Sequence, residues 1–466
     1  MRSGILFAGL ASISTVTGFL VWQTSVSSQP LPASPLAHDP GVRVGAGAGA
    51  PLANLSGSEL ALFNAGKLDF DETETPAEGL GPRMNLDSCG GCHSQPATGG
   101  TSPAVNPQVA FANSNGATNT IPSFITENGP VREVRFIKNP DGSADGGVHS
   151  LFTIAGYADA PGCNIQQDDF EGQHARHNAI FRIPTPVFGA GLIEQIPDSA
   201  ILANHAANAG QKHALGIHGR ANIVLAFNAV TGQLNKNGND GTVARFGWKA
   251  QNKSLLMFSG EAYNVEMGIT NELFQTERDE KAECQFAAVP NSVTNLGAAT
   301  MAEGLSGIEK FAAFMRFLAP PVPSTDTPGG ATSIANGKAS FSTIGCALCH
   351  TPSMTTGNSA VPALRNQPVN LYSDLLVHDM GAQLADGIAQ GQAGPREFRT
   401  PPLWGLGQRI YFLHDGRSSN LRETIIAHQS TTSAGGAPSE ANAVVDNFNR
   451  LTEPQKQDVL NFLRSL

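Results

Sequence analysis

Two short segments carry the most specific chemistry in this sequence. They are Cys89-Gly90-Gly91-Cys92-His93 and Cys346-Ala347-Leu348-Cys349-His350. Two thiols three positions apart can each add to one vinyl group along the same edge of a haem. The histidine that follows then lies under the ring, where a neutral imidazole nitrogen can bind iron. Zinc is the main competing reading, but it needs four ligands around one ion. The two pairs would have to meet from distant parts of the chain, and both histidines would be surplus. A redox dithiol requires no histidine after it. The spacing therefore predicts two covalently bound haem c groups, attached through Cys89, Cys92, Cys346 and Cys349. His93 and His350 are the iron ligands. Two of the six cysteines remain, Cys163 and Cys284. In an oxidising compartment they are expected to form one disulfide, the alternative being two buried thiols.

These motifs need elements to hold them. The chain has 466 residues, of which 51 are Gly, 30 are Pro and 15% are charged, so it reads as globular and loop-rich. The net charge of −10 leaves no basic surplus for a nucleic-acid partner. An apolar run from about Ile5 to Trp22 ends in the small residues Ser25-Val26-Ser27. Residues 1–27 read as a signal peptide or an uncleaved N-terminal membrane anchor, and 28–55 as a flexible tether. Either way the folded part is exported, and a periplasmic location is expected. Residues 56–302 form the first haem domain. Its opening helix from Ser58 is expected to stop at Gly66, irregular loops with a short β pair near 131–137 follow the motif, and helices return at 196–207 and 254–262. Residues 303–330 read as a linker, an amphipathic helix at 308–318 ended by Pro320-Pro321. Residues 331–466 form the second haem domain. A helix at 334–341 precedes its motif, and a Thr452-capped amphipathic helix ends it. The expected fold is mainly α, with two cytochrome c-like domains, long irregular loops and minor β.

Longer segments carry a resemblance: LGPRMN at 80–85, PTPVFGAGL at 184–192, RFGWKA at 245–250, VEMGIT at 265–270, DLLVHDMG at 374–381 and RTPPLWGLGQRIYFLHDGR at 399–417. With the two motifs they resemble the di-haem c-type cytochrome peroxidase superfamily, in its di-haem oxidoreductase (thiol oxidoreductase-like) branch. The resemblance implies a catalytic glutamate at Glu266, which would move a proton between the two oxygens of peroxide. It implies an electron relay at Trp248 between the haems. The sixth ligand of the first haem falls at His174 by count, with His177 close by, or the site is open. The sixth ligand of the second haem falls at His428, where relatives carry Met or Tyr. A histidine there lowers the haem potential. His378, Met380 and His414 are further groups near that haem, and Arg399 and Arg417 are candidates for its propionates. Relatives hold calcium between the haems. Here Arg182 and Arg409 occupy two of its positions, so calcium is not expected.

The implied activity is peroxide reduction at the first haem, with electrons relayed by the second. The partners are hydrogen peroxide or another small oxidant and a small soluble electron-transfer protein, a cytochrome c or a cupredoxin. Two alternatives stand beside it: an electron carrier without substrate, and an oxidase acting on a protein.

Overall fold

A computed structural model describes residues 1, 35–44, 47–223, 243–276, 279, 281–287, 292–430 and 437–466. The N-terminal apolar run, and with it the choice between signal peptide and anchor, lies outside them. The fold is mainly α with minor β. Seven helices matter for the site: α1 (Gly57–Asp71), α2 (Cys89–Cys92), α3 (Leu255–Met267), α4 (Gly307–Phe317), α5 (Gly330–Thr343), α6 (Leu421–Ala427) and α7 (Glu453–Arg464). Among the described residues, no helix is long and apolar enough to cross a membrane.

Helix α1 starts at Ser56, whose hydroxyl and backbone N–H form a capping box with Glu59. It does not stop at Gly66 but runs on to Asp71. Gly66 instead marks a helix crossing. A Cβ there would collide with the carbonyl oxygen of Lys310 on α4. The amphipathic helix that reads as a linker, α4, thus buries Ile308, Phe311, Phe314 and Met315 in the first core, packed on α1 and α3. The second motif has the same support. Helix α5 crosses α7 at Gly337, where a Cβ would meet the carbonyl of Asp458. Helix α7 opens on the Thr452 capping box expected of it. Its Phe462 packs against Phe341 of α5, ring centroids 5.4 Å apart.

The strands are short. β1 (Glu133–Phe136) lies between β2 (Val148–His149) and β3 (Ala179–Arg182), all antiparallel, with Glu133 opposite Arg182. β4 (Val377–Asp379) pairs with β5 (Glu397–Arg399). Cys163 and Cys284 are disulfide-bonded.

Three charges are buried together. Asp386 accepts from Arg182 at 2.6 Å and from Lys249 at 3.0 Å, and none of the three side chains is more than 3% exposed. Lys249 Nζ also donates to the carbonyls of Gly394 and Glu397 and lies 4.1 Å from the Phe398 ring centre. Removing Asp386 would leave two cations uncompensated in a low dielectric. Asp386→Ala is therefore expected to cost about 3–5 kcal/mol. Lys67→Ala, which breaks a surface pair with Asp71, should cost less than about 1 kcal/mol. The urea midpoints of the two variants measure the difference.

Candidate functional site

Each motif lines its own cavity. Cys89, Cys92 and His93 line the first, and Cys346, Cys349 and His350 line the second. A four-ligand zinc site from the two pairs is excluded, because they face separate spaces. All four thiols are unpaired. Burial pushes Cys89 and Cys346 up to about 12, so in the free chain both thiols stay protonated at neutral pH.

The two histidines are set identically. His93 Nδ1 lies 2.9 Å from the Gly100 carbonyl, and His350 Nδ1 lies 3.1 Å from that of Tyr372. A carbonyl only accepts, so Nδ1 carries the proton and Nε2 keeps its lone pair. Burial pushes both imidazoles down to about 4, which keeps them neutral and able to bind a metal. Phe70 on α1 and Phe341 on α5 stand beside these rings, centroids 5.8 and 6.3 Å away.

The second cavity also receives His378, His414 and His428. His428 ends α6, where its Nδ1 donates to Thr424 O at 2.7 Å, fixing that ring as His350 is fixed. His414 stacks on Phe398 at 4.3 Å. His378 lies between Asp374, at 2.9 Å, and Glu440, at 2.7 Å, with Cys349 Sγ 3.8 Å away. Arg399 and Arg409 line the same cavity, and burial pushes both down to about 10. Among the described residues neither has a carboxylate in salt-bridge range. Arg417, the other propionate candidate, is exposed and paired with Asp415.

The first cavity is different. His93 is its one histidine among the described residues. The structure does not bring His174 or His177 to it. His174 is exposed on the helix Phe170–Ala175 against the rings of Phe124 and Phe181, and His177 is exposed at the end of that helix. Of the three expected alternatives, His174, His177 or an open site, the spacing alone does not choose, because the direction of a histidine on a short helix depends on what that helix packs against. Glu266, near the end of α3, does line the cavity. Its Oε2 accepts from Asn85 Nδ2 at 2.7 Å. Burial first, then the charge of Glu133, raises Glu266 well above the ordinary range. Burial would raise Glu133, but the Arg135 guanidinium, the hydrogen bond with Glu266 and the charge of Arg182 together hold it at about 2. Sequence reading missed Glu133 and Arg135. Their signal was the period-2 alternation of β1, which turns both to one face.

Trp248 lines both cavities. Its Nε1 donates to Ile183 O at 2.9 Å, and its ring packs with Ile183 and Phe398.

A haem is an apolar plate with two carboxylates on one edge. The space free of atoms, mouths included, is about 1180 Å³ in the first cavity and 1420 Å³ in the second. Among the described residues, the buried Nε atoms of Arg132 and Arg182 at the first cavity have no hydrogen-bond partner, and Arg399 and Arg409 at the second have no carboxylate in salt-bridge range. Both donor sets fit a group that brings anions with it. His93 and His350 would face its iron.

The sequence profile described as "Di-haem oxidoreductase, putative peroxidase" matches residues 134–466, so the chain belongs to the di-haem oxidoreductases, a family whose cofactors are haems. The match includes Trp248, Glu266 and the second motif. No curated protein matches the chain. Among solved structures, hydrazine synthase of Kuenenia stuttgartiensis, pressurised with xenon, is 13% identical over 98% of this chain and 100% of its own, with a TM-score of 0.34. A MauG-like protein associated with microbial copper homeostasis is 16% identical over 58% of this chain and 89% of its own, with a TM-score of 0.27.

The carboxylate behind the second motif has a checkable signature. Burial would raise Glu440, but the hydrogen bond and charge of His378 overcome it and hold it at about 2. A depressed carboxyl stabilises the fold above its unfolded value and ceases to as pH falls to its folded value. Glu440→Gln should therefore lose about 3–5 kcal/mol at pH 7. That deficit should shrink as pH falls below about 4.3, the ordinary glutamate value. Urea unfolding at pH 7 and pH 3 measures it.

Proposed function

We propose that this chain is an exported di-haem c-type oxidoreductase that reduces peroxide at the first haem and takes electrons in through the second. The observation that carries this reading is the asymmetry of the two cavities. The first has one histidine and a carboxyl, Glu266, beside it. The second has His350 and His428 together. One iron face is then open to a small oxidant, and the other iron is closed by two imidazoles and suited to electron transfer.

In this reading each haem is held covalently, through Cys89 and Cys92 or through Cys346 and Cys349, in a cytochrome c-like domain. Bound haem supplies an iron that can accept peroxide and store or pass electrons. Everything else falls to the chain. Glu266 moves a proton from the near oxygen of peroxide to the far one, which leaves as water. Trp248 lies against both cavities and is the route for electrons between them. Arg399 and Arg409 hold the propionates of the second haem. Arg182 and Arg409 stand at two of the positions by which relatives hold calcium, and calcium is not part of this reading. The donor is a small soluble cytochrome c or cupredoxin, met in the periplasm. The bond between Cys163 and Cys284 supports that compartment, since disulfides persist where conditions are oxidising.

The electron-carrier alternative needs two closed haems, and the exposed position of His174 weighs against it. Oxidation of a protein substrate would use the same electron path without a small donor. Mixing haem-loaded protein with hydrogen peroxide, fully ferric and half-reduced, tests the proposal. A rapid Soret change is expected, slowed about 10²–10⁴-fold in Glu266→Gln, the usual cost of losing a general acid–base group. No change in either redox state would overturn it.

A further inference from the structure

Glu266 poses a chemical difficulty. To accept a proton from peroxide it must be ionised, yet its surroundings favour the protonated acid. Asn85 bears on which oxygen holds that proton. Asn85 Oδ1 accepts the Leu151 amide at 2.9 Å, so Nδ2 is the donor to Glu266 Oε2. Oε2 is therefore an acceptor, and the proton of Glu266 belongs on Oε1. Glu133 is hydrogen-bonded to Glu266, and two carboxyls can bond only if one of them carries a proton. Arg135 Nε donates to Glu133 Oε1 at 2.6 Å, and this guanidinium favours Glu133 as the ionised member of the resting pair.

We propose that Glu133 and Glu266 work as one pair sharing a single proton, and that Glu133 is the positioning residue that gives Glu266 both an acidic and a basic function. The resting pair holds one proton, on Glu266. It takes a second from the near oxygen of peroxide as Glu266 passes its own to Glu133. It then returns one to the far oxygen, which leaves as water. The two electrons that break the O–O bond come from the reduced donor protein. The pair ends as it began, and the near oxygen takes two protons from solvent and leaves as the second water, so that peroxide, two electrons and two protons give two waters. Its use rests on the peroxide reading above, whereas its existence does not.

The surrounding charges come from several elements. Glu133 and Arg135 face Glu266 from β1, and Arg182 from β3. Glu261 lies on the same helix, α3, bonded to Asn252 and itself raised by burial. The thiols of Cys89 and Cys92 approach from α2. Arg132, His93 and Tyr263 also line the cavity. The cations outnumber the ionised carboxylates, so replacing Glu133 by a neutral residue removes the like charge and leaves Arg135 to favour ionised Glu266.

Infrared spectroscopy of the carboxyl C=O band, with and without haem, reads this directly. Any other protonated carboxyl contributes a band of its own, so the Glu266 component is the one lost in Glu266→Gln. That component should be present at pH 7 in the unsubstituted chain and absent in Glu133→Gln. Glu133→Ser gives the same reading should the glutamine variant not fold. In the loaded enzyme, the rate of reaction with peroxide should fall at alkaline pH, as the shared proton is lost. Glu133→Gln should lose that limb and gain an acid limb near the ordinary glutamate value of about 4.3. A Glu266 band that persists in Glu133→Gln to the same pH would overturn the pair while leaving the peroxide reading intact. Infrared shifts as expected, with no reaction of the unsubstituted chain towards peroxide, would establish the pair and sink the peroxide reading.

Discussion

The arrangement of both motifs depends on two helix crossings close enough to need a glycine. Helix α1 meets α4 at Gly66, and α5 meets α7 at Gly337. In each case the helix that approaches a Cys-x-x-Cys-His segment is pinned by a partner from much later in sequence. The pinned helix presents a phenylalanine, Phe70 or Phe341, to the motif histidine. A carbonyl from a following loop fixes that histidine's other nitrogen. The crossing thus sets the backbone, the phenylalanine fills the edge, and the carbonyl selects the tautomer. A larger residue at either glycine would separate the helices and move all three together.

Between the cavities, the chain supplies its own cations. Asp386 compensates only one of the two positive charges that reach it, from Arg182 and Lys249. The ammonium of Lys249 is satisfied by two carbonyls and a ring face. This is the solvation a buried metal ion would demand, provided here to a side chain. The excess positive charge also lowers the cost of keeping Glu133 ionised nearby, since Arg182 lies opposite it across β1 and β3.

Much of this could be read from sequence, and the failures are informative. The motifs, the terminal helix with its Thr452 cap and the segments carrying Trp248 and Glu266 are local patterns, and local patterns survive folding; the Cys163–Cys284 bond, 121 residues apart, was legible only because these two cysteines are left over from the motifs. Gly66 was misread because a glycine that ends a helix and one that admits a neighbour look alike in a single chain. Helix α4 looks like a linker because it lies between the motifs, but its apolar stripe is a core face. His174 sits at a suitable spacing yet points to solvent. Glu133 gave only a strand alternation, and its importance comes from Arg135 and Glu266, one close in sequence and one far.

The contrast between the cavities argues for a division of labour within one fold. An electron-transfer site is best served by an apolar wall, fixed axial imidazoles and no titrating group near the iron, because little should then rearrange when an electron arrives. The second cavity approaches this, with the rings of His350 and His428 each fixed through Nδ1 and with His378 tied up between Asp374 and Glu440. A site that breaks an oxygen–oxygen bond needs the reverse: an open face and groups able to hold or release a proton without a large cost. The first cavity gathers Glu133, Glu261, Glu266, Arg135 and Arg182 against a single histidine. Burying three carboxyls is unfavourable unless protons and guanidiniums compensate them. That cost is specific to the first cavity, and it falls at the one place where proton transfer would need such groups.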